Sequence, residues 1–116
     1  MDLPLELTFR GVEKTEGLET LIRQKSDKLE RICDHISSCR IAVEKPHSHQ
    51  ARGNPYRVRI DLTVPPGHEL FAQRGPMEGN VQEQLPHVIR ETFDAMERQL
   101  KELMEKQRGE TKKHPE

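Results

Sequence analysis

Hydrophobic and polar residues alternate with a period of two in three stretches of the chain, and HELFAQ at 68–73 predicts a fourth, weaker strand. The three stretches are residues 5–11, 39–45 and 56–64, and the clearest is YRVRIDLTV at 56–64. Because successive side chains of a strand point to opposite faces, each stretch predicts a β-strand with one apolar face. In the third predicted strand that face consists of Tyr56, Val58, Ile60, Leu62 and Val64.

Two longer stretches carry apolar residues at helical spacing instead. The first predicts a helix over residues 16–36, with Thr15 as its N-cap and an apolar stripe that is interrupted at Lys25 and Ser26. The second predicts a helix that starts near Pro86, since proline fits a first turn, and ends at Gly109.

The segments between these elements are rich in proline, glycine and polar residues. PHSHQARGNP at 46–55 predicts a long loop, and Gly67, after two prolines, predicts a tight turn with positive φ. Residues 74–80, RGPMEGN, break the pattern. Asn80 followed by Glu83 imitates a capping box, which indicates a separate turn just before the last helix.

The predicted element order is β-α-β-β-β-α. Three successive strands with short links favour antiparallel pairing, and two amphipathic helices can cover one face of the sheet. We therefore predict an α+β fold, a two-layer sandwich in which a four-stranded sheet carries both helices on one face. A length of 116 residues suits one domain. We place that domain at residues 1–108, with a short polar tail at 109–116.

Charged residues are abundant but nearly balanced. They make up 34% of the chain, and the net charge of −1 argues against a general nucleic-acid binder. The distribution is uneven, because residues 40–74 contain six Lys/Arg and three Asp/Glu, a net +3, while residues 1–39 and 75–116 are each net −2. The basic middle third also contains His47, His49 and His68.

The N-terminal residues do not resemble a targeting segment, and no apolar run is long enough to cross a bilayer. We therefore expect a cytoplasmic protein with no membrane partner. Cys33 and Cys39 are then expected to be free thiols, since disulfides are rare in a reducing compartment. Cys33 borders the apolar stripe of the first helix, which predicts a small buried side chain.

The chemically reactive residues do not form a recognisable catalytic or metal motif. His47 and His49 would point the same way in an extended segment, but only His68 and Glu44 are candidate further ligands. Neither a Cys-x-x-Cys nor a His-Glu-x-x-His pattern supports them, and there is no glycine-rich phosphate loop or evident oxyanion donor. We therefore predict that the protein is not an enzyme and has no metal, cofactor or small-molecule substrate.

Two helical motifs resemble a known family. TEGLETLIRQKSDKLERI at 15–32 has a Lys-x-x-Lys-Leu pattern after a threonine cap, and VIRETFDAMERQLKE at 88–102 has Arg-Gln-Leu near its end. With the element order and spacing, they resemble the short type of the ribosome hibernation-promoting factor family, also called sigma-54 modulation proteins, over residues 5 to about 106. The motif residues are Lys25, Lys28 and Leu29, and Arg98, Gln99 and Leu100.

The resemblance implies a fold similar to a double-stranded-RNA-binding domain. It also implies a stress-response factor that binds the rRNA of the small ribosomal subunit in the mRNA/tRNA channel and inhibits translation. We expect a monomer off the ribosome. Ribosomal RNA is recognised through phosphates, 2′-hydroxyls and shape, which requires cations on a fixed surface. The predicted RNA-binding residues are Lys25, Lys28, Arg57, Arg59, Arg90, Arg98 and Lys101.

Several positions depart from the family's pattern. Ala95 and Glu102 stand where lysine is usual in the family, and residues 74–85 resemble an insertion. Oppositely charged residues four apart on the last helix can also simply pair along a solvated face. These pairs are Asp94–Arg98, Glu97–Lys101, Arg98–Glu102 and Glu102–Lys106.

Two other function classes therefore stay open. The chain could be a protein-interaction or regulatory module of the same fold with weak or no RNA binding, or a metal-binding or redox domain. Within the ribosomal hypothesis, Arg57 and Arg59 lie with Arg40 on the sheet face away from the helices, and a protein wedged in a channel could use both faces. The loop at 46–55 is a candidate RNA probe, since loops of related folds can enter the minor groove.

Overall fold

The computed structural model describes residues 4–46, 55–76 and 84–112, with side chains of the last helix described to residue 109. It confirms the predicted element order and the α+β fold. The strands are β1 (Leu5–Arg10), β2 (Ser38–Glu44), β3 (Arg57–Val64) and β4 (His68–Arg74), and the helices are α1 (Glu16–Ile32) and α2 (Leu85–Lys112).

The four strands form one sheet in the order β1-β2-β3-β4. β2 pairs antiparallel with β3, and β3 with β4, which confirms the pairing predicted for three successive strands. β1 pairs parallel with β2, since the intervening helix α1 carries the chain back to the end where β1 began. The inner position of β3 explains why its alternating pattern is the clearest in the chain.

One face of the sheet is buried under both helices, as predicted. In β3 the four residues Val58, Ile60, Leu62 and Val64 are buried, and Tyr56 just before the strand is partly buried. Full burial of one such side chain stabilises the fold by roughly 1.5–3 kcal/mol. The helices add Ile22, Leu29, Val88, Ile89, Phe93, Met96 and Leu100 to the same core.

Two hydroxyl side chains lie inside the apolar stripes of the helices. Ser26 is 2% exposed and donates its hydroxyl hydrogen to the carbonyl oxygen of Ile22 at 2.8 Å. Thr92 donates in the same way to the carbonyl oxygen of Val88 at 2.7 Å. Because each hydroxyl is satisfied within its own helix, Ser26 interrupts the hydrophobic pattern of α1 while remaining part of the buried face.

Both helices begin where the sequence predicts. The side chain of Thr15 accepts a hydrogen bond from the amide of Leu18 at 3.2 Å, as an N-cap does. α2 begins at Leu85, so Pro86 lies in its first turn, where the missing amide hydrogen costs no helical hydrogen bond.

The first helix ends earlier than predicted. It stops at Ile32 rather than at residue 36, because Cys33 takes an extended conformation. Ile36 is nevertheless 7% exposed. The amide of Ser37 donates to the carbonyl oxygen of Thr63 at 2.8 Å and so holds the chain against β3. Since an extended segment buries Ile36 as well as a helix would, the apolar spacing could not locate the end of α1.

Of two glycine predictions, a turn at Gly67 and a helix end at Gly109, the structure confirms only the first. Gly67 has φ 75° in the turn between β3 and β4, which confirms the predicted positive φ. Gly109 was predicted to end the last helix, but α2 continues to Lys112. A glycine ends a helix most readily in the left-handed conformation, which Gly109 does not adopt.

Some predictions concern segments outside the described residues. These are most of the loop at 46–55, with His47 and His49, and the turn with Asn80 and Glu83. In the described part of the chain, no helix combines the length and the apolar character needed to span a membrane.

Candidate nucleic-acid interface

The predicted RNA-binding cations lie on two opposite surfaces. Arg57 and Arg59 alternate with the buried Val58 and Ile60 of β3, so they lie on the side away from the helices. We call the outward residues of the four strands the sheet face. The helix face is the set of predicted cations on the two helices, namely Lys25, Lys28, Arg90, Arg98 and Lys101.

On the sheet face, one carboxylate contacts two arginines. Oε1 of Glu44 accepts hydrogen bonds from Arg57, one from Nε at 3.0 Å and one from Nη2. Oε2 of Glu44 lies 3.7 Å from Nη1 of Arg10. The register of the strands places these three residues side by side on β1, β2 and β3. The negative charge of Glu44 therefore offsets both guanidinium groups.

Arg59 is held from two directions. Its Nε donates to a carboxylate oxygen of Asp61 at 2.9 Å, and this hydrogen bonding raises the pKa of Arg59. Its guanidinium carbon also lies 4.4 Å from the ring centre of Phe71, within the range of a cation–π contact. Sequence analysis did not single out Phe71, which is 47% exposed and is the only exposed large hydrophobic residue that the structure describes.

The sheet face carries little net charge. Three of its four arginines lie at ion-pair distance from Glu44 or Asp61, and its four arginines are balanced by four carboxylates. The opposite charges of such a pair nearly cancel at distances beyond the Debye length, which is about 8 Å at physiological salt. The arginines of this face therefore attract distant phosphates weakly. Its charged residues in the described strands are Arg10, Arg40, Arg57, Arg59, Glu6, Glu44, Asp61 and Glu69.

The helix face is different, because most of its cations have no carboxylate partner among the described residues. Arg90, Arg98 and Lys101 are exposed, and Lys25 is partly buried. None of these four forms an ion pair with another residue that the structure describes. The four pairs considered along α2 are thus not formed, and Glu97 pairs with Lys28 on α1 instead.

Lys28 is the exception on the helix face. Its Nζ lies 3.5 Å from Oε2 of Glu97, across the contact between α1 and α2. Glu97 is 7% exposed, and this oxygen accepts no hydrogen bond within the described structure, so the contact is an ion pair of poor hydrogen-bond geometry. The sequence analysis had considered Glu97 with Lys101. Glu97 follows Phe93 by four residues and so lies on the buried side of the helix. This spacing could have identified it as a buried acid.

The two cysteines are free and buried, as predicted for Cys33. Burial raises the pKa of Cys33, and burial with a smaller contribution from Asp61 raises the pKa of Cys39 to about 12. Sγ of Cys33 lies 3.6 Å from Nδ1 of His35. Among the residues described, no group of three or more His, Cys, Asp or Glu side chains could hold a metal ion, and the predicted candidates His47 and His49 lie outside them.

This protein is a two-layer α+β domain of β-α-β-β-β-α order, with cations on its helices and ion pairs on its sheet face. The chain belongs to the Sigma 54 modulation protein / S30EA ribosomal protein family, whose model matches residues 5–108. This confirms the family that the two helical motifs indicated. A search of curated proteins found no significant match.

Two solved structures share the fold. A ribosomal subunit interface protein from Coxiella burnetii is 21% identical, with a TM-score of 0.65, over 88% of this chain and 98% of that chain. The N-terminal domain of Protein Y from Thermus thermophilus is 18% identical, also with a TM-score of 0.65, over 89% of this chain and 99% of that domain. The match therefore spans nearly the whole of both structures.

Proposed function

We propose that this protein is a ribosome-associated hibernation factor that binds the rRNA of the small subunit and inhibits translation. The binding place is the channel used by messenger RNA and transfer RNA, and the protein is a cytoplasmic monomer off the ribosome. Family membership over residues 5–108 supports association with the ribosome. Two proteins of the same fold, a ribosomal subunit interface protein and the N-terminal domain of Protein Y, support the same association.

The observation that carries the proposal is the helix face. Four of its five cations have no described carboxylate partner, so they are available to phosphate oxygens. Both helices pack on one core, which makes them a fixed platform for their charged side chains. RNA recognised by shape and by phosphate contacts requires such a platform. The sheet face is expected to contribute less, since Arg57 and Arg59 are already paired with carboxylates.

Cosedimentation with idle small ribosomal subunits tests the proposal. We expect binding at low salt that falls steeply between about 50 and about 200 mM salt, because bound phosphates release counterions. The variant Lys25→Glu/Lys28→Glu reverses two helix-face charges and is expected to weaken binding further. Absence of cosedimentation at low salt would contradict the proposal.

A matched control variant is available on the same helix and the segment before it. Lys14 and Arg23 both pair with Glu19 and are largely exposed. Lys14→Glu/Arg23→Glu changes the net charge by the same amount as the helix-face variant. It is expected to keep more ribosome binding, whereas equal losses would mean that only net charge matters.

A second candidate function is a protein-interaction module. Phe71, exposed beside Arg59, favours it, because aromatic residues and arginines often dominate protein interfaces. Binding that survives Lys25→Glu/Lys28→Glu but is lost in Phe71→Ala would support this function instead. Binding unaffected by Phe71→Ala would leave the RNA-binding proposal as the better account.

A further inference from the structure

Glu97 is a buried acid within a proposed RNA-binding surface. It projects from α2 beside the core residue Met96, and only 7% of it is exposed. Its Oε2 is buried without a hydrogen bond inside the described structure, and its nearest described cation is Lys28 at 3.5 Å. A carboxylate in such a place requires a compensating positive charge, because removal from water strongly disfavours an unpaired ion.

Lys28 supplies that positive charge, and its ammonium group is held near Glu97 as a result. The side chain of Lys28 is 51% exposed, so the ammonium group could reach solvent, yet it lies against Glu97. By contrast, Lys25, one turn earlier on α1, forms no ion pair with a described residue. Two lysines in one motif therefore present different charge to a ligand.

We propose that Glu97 restrains Lys28 and thereby weakens the contribution of Lys28 to phosphate binding. The inference rests on the proposed RNA-binding function and adds to it a residue that sets its strength. A phosphate approaching the helix face meets an ion pair at Lys28 rather than a free cation. To bind Lys28 fully, the phosphate must draw the ammonium away from Glu97 and leave a buried carboxylate without its partner.

A double-mutant cycle on small-subunit binding measures this restraint. The four proteins are the natural chain, Lys28→Gln, Glu97→Gln and the double variant, each titrated with purified small ribosomal subunits over a salt series. Glu97→Gln is expected to bind more tightly than the natural chain. Its logarithmic salt dependence is expected to be steeper by roughly 0.7 to 0.9, the value for one added phosphate contact.

The decisive comparison is the effect of Lys28→Gln in the two backgrounds. With glutamine at position 97, loss of Lys28 is expected to reduce affinity roughly tenfold, as for one charge-assisted hydrogen bond. With Glu97 present, the same change is expected to cost clearly less. Equal effects in both backgrounds would overturn the inference, because Lys28 would then act independently of Glu97.

Two controls separate restraint from net charge. Glu102→Gln removes an exposed carboxylate from the same helix, and it should raise affinity less than Glu97→Gln does. Lys101→Gln should have the same effect whether residue 97 is Glu or Gln, since Lys101 pairs with no described carboxylate. The inference would be contradicted if Glu102→Gln and Glu97→Gln raised the affinity equally. It would also be contradicted if the effect of Lys101→Gln depended on residue 97.

The same titrations distinguish failure of the inference from failure of the proposed function. If neither the natural chain nor Glu97→Gln binds subunits at low salt, both are overturned. If both bind and Lys28 shows no coupling, only the inference fails. Circular dichroism and urea denaturation of each variant confirm that it is folded at the titration temperature. A Glu97→Met variant, which places an apolar side chain at this buried position, gives a second measurement if Glu97→Gln unfolds. In this variant too, Lys28→Gln must cost more affinity than in the natural chain.

Discussion

At the scale of single residues, burial controls the chemistry of the two thiols. Cys39 is completely buried on β2, and Cys33 is 2% exposed at the end of α1. Burial disfavours a thiolate, so both pKa values are raised. Since the thiolate is the reactive form of cysteine, these residues serve as small core side chains and are poor candidates for a redox site.

Cys39 should make the stability of the protein depend on pH in the alkaline range. Its folded pKa of about 12 lies above its ordinary value of 9.0, so the native state holds the proton more tightly than the unfolded chain. This contribution is complete below pH 9 and is lost as the pH rises toward 12, with a slope of at most about 1.4 kcal/mol per pH unit. Urea denaturation between pH 8 and pH 11 measures it.

Cys39→Ala is the control for that measurement, because lysine and tyrosine side chains also titrate in the alkaline range. The natural chain should lose more free energy of unfolding across this range than Cys39→Ala loses. Parallel curves for the two proteins would mean that Cys39 is not buried as described.

At the scale of elements, the corner after β1 depends on a glycine. Gly11 has φ 70°, and a Cβ atom placed on it would lie 3.0 Å from the carbonyl oxygen of Lys45. The amide of Lys45 donates to the carbonyl oxygen of Arg10 at 3.0 Å, so this corner extends the parallel pairing of β1 with β2. The chain can leave the sheet toward α1 here because glycine tolerates the left-handed conformation.

Gly11→Ala should destabilise the fold. The left-handed conformation costs an L-residue roughly 1–2 kcal/mol, and the contact with the Lys45 oxygen adds to it. Gly17→Ala is the matched control, since Gly17 lies in α1 with nothing within 4 Å of an added Cβ. That change should stabilise the fold by up to about 1 kcal/mol, because alanine favours helix. Urea denaturation of the two variants should give midpoints on opposite sides of the natural chain, and a shift in the same direction would contradict this description.

At the scale of the whole molecule, cations are divided between two surfaces of different character. The helix face has four cations without described carboxylate partners, whereas Arg57 and Arg59 on the sheet face are paired with Glu44 and Asp61. The unpaired helix-face cations can therefore contact an anionic partner directly, whereas Arg57 and Arg59 must first leave a carboxylate.

Two double variants compare the faces directly. Arg90→Gln/Lys101→Gln and Arg57→Gln/Arg59→Gln each remove two positive charges, so their effects on net charge are equal. The helix-face variant should lose more affinity for small subunits, and its logarithmic salt dependence should become shallower by up to about 1.8, the value for two phosphate contacts. A larger loss in the sheet-face variant would place the main RNA contact on the opposite surface.

The amino-acid pattern was enough to predict the order of elements, the buried side of β3 and the family. These follow from local patterns: Val58 and Ile60 alternate with arginines, and Thr15 precedes a stripe of helical period. The RNA-binding cations named from the sequence stay predictions. The pattern misplaced the ends of both helices, because Ile36 is buried without being helical and Gly109 lies within α2.

Which of those cations are available depends on contacts that form only in the folded chain. Arg57 meets Glu44 through the register of β3 on β2, and Lys28 meets Glu97 through the packing of α1 on α2. Both partners are distant in sequence, so neither contact leaves a trace in the spacing of residues along one element. How strongly a charged group attracts a ligand depends on such neighbours, because a paired or buried ion interacts differently from a solvated one.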